Sequence, residues 1–334
     1  MNRALQLTIG IAISAVCLWF SMRDVRPGEV IAALRQANAL GFVSVVLLTV
    51  VGFWLRAFRW RWLLNTPQPV KIGSLFSATM IGFMANNVLP LRLGEFVRAW
   101  ALGRTEKLSK STVFATVVVE RVVDMLTLIA IFGIAMLIHP IGSGSEAGSM
   151  VRKGATFMVL VSLGLTVFVV ILERQPALAH AFVRFVTAPL PERLRDRAVG
   201  ALGHFVEGLT LFRDLPRLLW VFLLSFVMFG VFVLCLTITM WAFDIHAEWY
   251  AGLVMLVITA IGIMVPAAPG YIGTMNIACM VGLKLFGVGP DKSVPFSWFY
   301  WAGQWLPVTV VGLWYLRREG LSLRSLGTAD KGTT

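Results

Sequence analysis

Apolar residues in this chain arrive in long blocks, without the half-turn or alternating patterns of a soluble core. A helix that crosses about 30 Å of hydrocarbon needs about 20 predominantly apolar residues. Six blocks meet that length, at about 4–22, 40–63, 112–138, 154–172, 218–243 and 295–316. The first block follows Arg3 and has the look of a secretory leader. Its exit, Trp19-Phe20-Ser21-Met22-Arg23, offers no small-x-small cleavage site, so a retained first helix is expected.

Two further apolar regions are broken in the middle. The first runs from Ile72 through Asn86 and Asn87 to Val88-Leu89-Pro90, then resumes as Leu91-Arg92-Leu93-Gly94-Glu95-Phe96-Val97-Arg98 up to Gly103. The second covers about 247–288 and is interrupted by Pro266, Pro269, Gly270, Gly273 and Thr274. Proline removes a helix donor and clashes with the preceding turn, and glycine weakens what remains. Each region is therefore expected to form two half-helices with a bend. The arm after Pro90 is too short and too charged to span, which predicts a re-entrant hairpin; the arms of the second region could either re-enter or each cross. The expected fold is an all-α integral membrane bundle of about six spanning helices plus two broken hairpins, in a single domain over 1–317 with a tail at 318–334.

Charge then orients the bundle. The chain carries 29 Lys+Arg against 17 Asp+Glu, a formal charge of +12, with only 14% charged and 58% apolar residues. In a soluble protein that excess would suggest nucleic acid; in a membrane protein the positive-inside bias and anionic lipid account for it. With the N-terminus inside, the inner faces collect 19 basic residues, among them Arg56, Arg59, Arg61 and the seven arginines from 174 to 217, against 6 on the outer faces. Both termini are expected in the cytoplasm, at the cell (cytoplasmic) membrane. Residues 40–138 and 218–316 then become similar halves of opposite orientation, an inverted repeat whose site is expected at the repeat interface. Between them, 173–217 alternates aromatic and aliphatic residues with arginines and reads as a cytoplasmic amphipathic linker lying on lipid phosphates.

Ionisable groups at membrane depth are expensive and mark candidate function. The first hairpin holds Asn86, Asn87, Arg92, Glu95 and Arg98, with Gly94 opening a half-helix whose N–H groups favour an anion. Two guanidinium forks beside such a helix end suit a lipid phosphate, while a bland Glu95–Arg98 pair on one helix face is the structural alternative. The next helix carries Glu120, Arg121 and Asp124, a charge network that either glues helices or exchanges partners during transport. Gly270, Gly273, Thr274 and Asn276 in the second hairpin offer close backbone approach and uncharged polar atoms, and Gln304 in the last helix can join them. Arg56, Arg59 and Arg61, set among Trp54, Trp60 and Trp62, look like interface anchors. Cys17, Cys235 and Cys279 lie in apolar runs as packing residues, and His139, His180, His204 and His246 stand singly, so neither a metal nor another cofactor is expected.

The run from Asn87 through Pro90, Arg92, Gly94 and Glu95 to Arg98 resembles the N-x-x-P-x-R-x-G-E-x-x-R-A signature of the lysylphosphatidylglycerol synthase transmembrane-region, or flippase-like, family. Glu120-Arg121-x-x-Asp124 resembles its E-R-x-x-D, and Pro266-x-x-Pro269-Gly270-x-x-Gly273 its late P-x-x-P-G-x-x-G block. The three blocks, in order, cover about residues 5–317. The resemblance implies a membrane domain that moves polar lipid between leaflets, and it carries over onto Arg92, Glu95, Arg98, Glu120, Arg121, Asp124, Pro269, Gly270 and Gly273. Many members place a glutamate near the position of Asn276, and the aminoacyl-transferase domain of the two-part synthases is not recognisable here, so synthesis of lysyl-lipid is not expected.

The expected function is therefore a lipid transporter, not an enzyme. Membrane lipids, anionic or phosphate-bearing, are the expected partners; nucleic acid is not, and a homo-oligomer is left open. The alternatives are a non-transporting partner of lipid-linked glycan or cell-envelope enzymes and an intramembrane lipid-modifying enzyme.

Overall fold

The computed structural model describes residues 25–64, 69–89, 93–138, 214–265 and 269–321, most of 12–21 and scattered positions within 153–167. Most of the blocks at 4–22 and 154–172, nearly all of the linker at 173–217, the tail beyond 321 and Arg92 lie outside the described residues. The described residues are helical, with no strand among them.

Among the described residues, helices follow in the order α1 (Pro27–Gln36), α2 (Ala39–Leu63), α3 (Ile72–Val88), α4 (Gly94–Thr105), α5 (Lys110–Ile138), α6 (Leu215–Ala242), α7 (Ala251–Met264), α8 (Thr274–Lys284) and α9 (Pro290–Arg318). A single 3-10 turn, Pro269–Tyr271, stands between α7 and α8. Local chemistry sets several ends. Asn38 Oδ1 accepts from the Leu40 N–H at 2.9 Å to start α2, and Asp214 Oδ1 accepts from the Arg217 N–H at 3.1 Å to start α6. At the end of α2, Arg217 donates to the carbonyls of Trp62 and Leu64, satisfying groups the helix leaves open.

Both breaks fall where proline demands them. Leu89, before Pro90, is extended (φ −90°, ψ 146°), and so is Val265, before Pro266 (φ −65°, ψ 128°). The second break then passes through three left-handed residues, Gly270 (φ 75°), Tyr271 (φ 60°) and Gly273 (φ 89°). At 1.5 Å per residue, α7 with 14 residues and α8 with 11 reach only about 21 and 16 Å, against about 30 Å of hydrocarbon. The arms of the second region are thus shorter than its apolar length suggests, because the turn consumes part of it.

The arms of the first hairpin meet through glycine. A Cβ on Gly82 would lie 2.7 Å from Arg98 Cβ, and one on Gly94 would overlap the Gly82 carbonyl oxygen and the Asn86 amide. Small residues permit this approach where apolar side chains gain nothing by leaving lipid.

The helix order long, short, short, long occurs twice, in α2–α5 and in α6–α9. Packing repeats with it. Within the halves, α2 on α3, α3 on α4 and α4 on α5 match α6 on α7, α7 on α8 and α8 on α9. Across them, α3 on α9 matches α7 on α5 and α2 on α9 matches α6 on α5; within them again, α2 on α5 matches α6 on α9. The corresponding helices α2 and α6 pack on each other antiparallel: Asn38 N–H meets Ala242 O at 3.4 Å, Val45 O lies 4.0 Å from Cys235 Sγ, and Trp62 meets Trp220 at 6.3 Å.

Among the described residues two helices, α2 and α6, are long and apolar enough by composition to cross a membrane. Their outer faces expose Leu40, Val43, Leu47, Val51 and Trp54, and Leu219, Leu223, Val227, Leu234 and Trp241. Helix α1 was not expected from hydropathy. Its proline at the first turn, Glu29 near its start and Arg35 near its end are ordinary helix signals, masked by its low apolar content. Helix α9 begins at Pro290, earlier than the apolar block at 295, and carries Pro295 and Pro307 inside it.

Gly94→Ala is expected to destabilise the protein by about 1–3 kcal/mol through overlap at the hairpin crossing. Gly133→Ala, in α5 with nothing within 4 Å, is expected to be neutral or stabilising by up to about 1 kcal/mol. Unfolding midpoints in detergent check the pair; equal effects would contradict the close crossing.

Candidate functional site

The site is built on α5. Glu120 and Asp124, one turn apart, project from the same face about 15 Å along the helix from Lys110. Glu120 is fully buried and has four arginines around it. Arg56 Nη1 lies 2.8 Å from Oε1 and Arg98 Nη1 2.8 Å from Oε2. Arg59 Nη2 is 3.4 Å and Arg121 Nη2 3.5 Å from Oε1. Asp124 receives Arg59 at 2.6 Å, Arg56 at 2.9 Å and Arg121 at 3.5 Å. Glu95 joins through Arg121 at 3.3 Å.

The ion pairs thus link four arginines and three carboxylates from α2, α4 and α5. Ser225 on α6 extends the network by accepting from Arg59 at 2.6 Å. Aromatic faces complete the cage: the Arg98 guanidinium lies 3.7 Å from the centre of a Trp60 ring, whose Nε1 donates to Thr116 at 2.9 Å. Arg56 and Arg121 sit 5.2 and 5.9 Å from the Phe83 ring.

Beside the network lies a cavity of about 270 Å³. Arg56, Arg121 and Asp124 form its charged end. Asn87 from the first hairpin and Gly270, Tyr271 and Met275 from the second close it from two sides, and Trp301, Gln304 and Trp305 of α9 reach its wall. The remaining wall is largely aliphatic and aromatic, including Phe53, Leu128, Phe232 and Leu256. Trp301 Nε1 donates to the Gly270 carbonyl at 2.8 Å, which pins the left-handed turn to α9.

These placements sort the residues singled out by sequence. Arg121, Asp124, Asn87 and Gly270 reach the cavity, as does Gln304. Glu95 and Glu120 lie in the network behind it. Arg98 is fully buried against Glu120 and Trp60 and does not line the cavity. The expected Glu95–Arg98 alternative gives way to cross-helix pairing, Arg98 with Glu120 and Glu95 with Arg121. The Gly94 N–H donates to Asn86 Oδ1 at 2.8 Å, so neither group is open to a ligand.

Asn276 accepts from the Gly273 N–H at 3.1 Å and donates to Ser297 at 2.8 Å, capping α8 in a fully buried position. Gly273 packs against Ser14 and Cys17, and Thr274 lies 3.4 Å from the Tyr271 carbonyl. Arg56 and Arg59 are the largest revision. Sequence made them interface anchors, yet both are buried in the network, whereas Arg61 is exposed. The usable signal was spacing: 56 and 59 share a helix face that 61 does not.

Such a cluster, carried by helices with apolar outer faces, defines an integral membrane protein. The family model described as lysylphosphatidylglycerol synthase TM region matches residues 7–312, and the chain belongs to that family. It is 28% identical over 300 residues to a UPF0104 membrane protein of Methanothermobacter thermautotrophicus, covering 85% of this chain and 86% of that one. To UPF0104 membrane protein PH1989 of Pyrococcus horikoshii it is 22% identical over 341 residues, 97% of this chain and all of the relative. To glycosyltransferase AglD of Haloferax volcanii it is 28% identical over 138 residues, 41% of this chain, and there it spans only 22% of the relative's length. No solved structure matches the chain.

Removing one partner of a buried ion pair strands the other, at about 3–5 kcal/mol, while an exposed pair is worth up to about 1 kcal/mol. Glu120→Gln is therefore expected to lower unfolding stability by the larger amount and Glu95→Gln by the smaller. Denaturant titration in detergent checks this, and comparable losses would contradict the assignment of Glu120 as the hub.

Proposed function

We propose that this protein moves a polar, phosphate-bearing lipid between the two leaflets of the cell membrane. The observation that carries the reading is the cavity between the two broken-helix hairpins, charged at one end by Arg56, Arg121 and Asp124 and otherwise walled by apolar side chains. A headgroup fits the charged end, and a space of about 270 Å³, just under the roughly 300–1,000 Å³ of small-molecule sites, leaves the tails in the bilayer. Arg56 and Arg121 hold the phosphate with bidentate-capable forks, Asn87, Gly270 and Gln304 line its polar surround, and Glu95, Glu120 and Asp124 balance charge as access changes sides.

In this reading the short arms α3/α4 and α7/α8 are re-entrant hairpins, and the antiparallel packing of α2 on α6 supports an inverted repeat of the transporter type. The basic-residue bias places both termini in the cytoplasm; without the buried Arg56 and Arg59 it stands at 17 against 6. A second reading is favoured by the similarity to glycosyltransferase AglD: a membrane partner of lipid-linked glycan enzymes that does not itself transport.

Purified protein in phospholipid vesicles is expected to exchange a headgroup-labelled phospholipid between leaflets, measured by quenching of the outer-leaflet label. Arg121→Ala is expected to reduce exchange at least tenfold while the protein still folds, with a loss of unfolding stability comparable to that of Glu95→Gln. Wild-type vesicles that exchange no faster than empty ones, together with co-purification of a glycan-transferring enzyme, would support the second reading instead.

A further inference from the structure

Among the described residues, the ion-paired cluster holds Arg56, Arg59, Arg98 and Arg121 against Glu95, Glu120 and Asp124, four cations to three anions. Away from water an uncompensated charge is costly, and screening by salt is weak for buried groups. The surplus does not sit at random. Arg59 and Arg98 are sealed in, whereas Arg121 is about one-third exposed and lines the cavity with Arg56. One positive charge is therefore left over, and of the four cations Arg121, at the wall where a ligand would arrive, is the most exposed.

We propose that this surplus sets the ligand's valence: the cavity selects a lipid headgroup with a single net negative charge, a phosphodiester without a compensating amine. This rests on the reading of the cavity as a headgroup site. A mono-anion brings the cluster to neutrality. A zwitterionic headgroup leaves the surplus in place, and a headgroup with two negative charges replaces it by a deficit of the same size. The apolar wall of the same cavity, with Phe53, Leu128 and Leu256, is suited to a lipid and offers a free ion nothing.

The charge rule makes opposite predictions for two conservative variants. Arg121→Gln removes the surplus, and Glu95→Gln raises it to two. The full-length protein is equilibrated in detergent with equal amounts of phosphatidylcholine, phosphatidylglycerol and phosphatidic acid, the last carrying two charges in alkaline buffer. Retained lipid is read by native mass spectrometry. Wild type is expected to retain phosphatidylglycerol over phosphatidylcholine by roughly tenfold, about 1.4 kcal/mol. Arg121→Gln is expected to lose that preference, and Glu95→Gln to shift it toward phosphatidic acid.

Both variants lie at the exposed edge of the network, and failure of one to fold leaves the other to decide. Equal retention of the three lipids by wild type, or variants that leave its preference unmoved, would overturn the charge rule. Displacement of the retained lipid by excess inorganic phosphate would overturn its assignment to a lipid. Leaflet exchange is measured separately: exchange without charge selection refutes only this inference, and selection without exchange refutes only the transport reading.

Discussion

A carboxylate taken out of water must be held by cations and donors or it will not remain charged. Glu120 meets that demand with four arginines within 3.5 Å. They come from α2, α4 and α5, so one side chain joins the first long helix, the second arm of the first hairpin and the helix that follows. Apolar packing alone would not distinguish one rotation of these helices from another, because lipid solvates leucine as well as a neighbouring helix does. Charge does: turning any one of the three strands an arginine or a carboxylate in hydrocarbon. The network thus contributes more to a unique arrangement than to net stability, as buried ion pairs at coupling positions often do.

The same constraint explains why the two halves share an architecture but not a chemistry. Their helices come in the same order and pack in matched pairs, yet among the described residues the buried charge is confined to the first half. Helices α5 and α9 are both 29 residues long, and at the distances from their starts where α5 carries Glu120 and Asp124, α9 carries Tyr300 and Gln304. The cavity between the halves therefore has one ionic wall and one neutral wall, the latter made of the Gly270 turn, Tyr271, Trp301 and Gln304. A ligand held by charge from one side and by neutral contacts from the other leaves the second half free of a fixed ionic partner. In the proposed transport cycle, that half is the one that can move without breaking buried ion pairs.

Much of this was legible in the chain because the signals are local. Apolar block lengths gave α2, α5 and α6, and the residue-before-proline rule located both breaks at Leu89 and Val265. The i, i+4 spacing put Glu120 and Asp124 on one face. What could not be read depends on which elements meet. An arginine seven residues from a helix end among tryptophans can snorkel to lipid headgroups or turn inward; spacing puts Arg56 and Arg59 on a different face from Arg61 but does not say which face turns inward. Glu95 and Arg98 share a helix face, which makes their pairing the simplest guess; the presence of Glu120 and Arg121 on a neighbouring helix exchanges the partners. Asn276 and Asn86 look like ligand contacts in a glycine-rich break, but a broken helix leaves its own N–H groups to satisfy, and both side chains are used for that.

Burial then separates the charges by what they are free to do. Arg59 and Arg98 are enclosed by Asp124, Ser225, Glu120 and Trp60, with no opening through which a ligand could replace those partners. Arg121 and Glu95 stand at the rim, each about 30% exposed, and their mutual contact is among the longest in the network. A cluster graded in this way has a fixed inner part that orients the helices and an outer part whose partners can change at small cost. In the proposed reading that gradient lets a structural network adjoin a binding site: the sealed pairs keep the cavity's charged end in place, and Arg121 at the rim is the cation that can exchange a protein partner for a ligand.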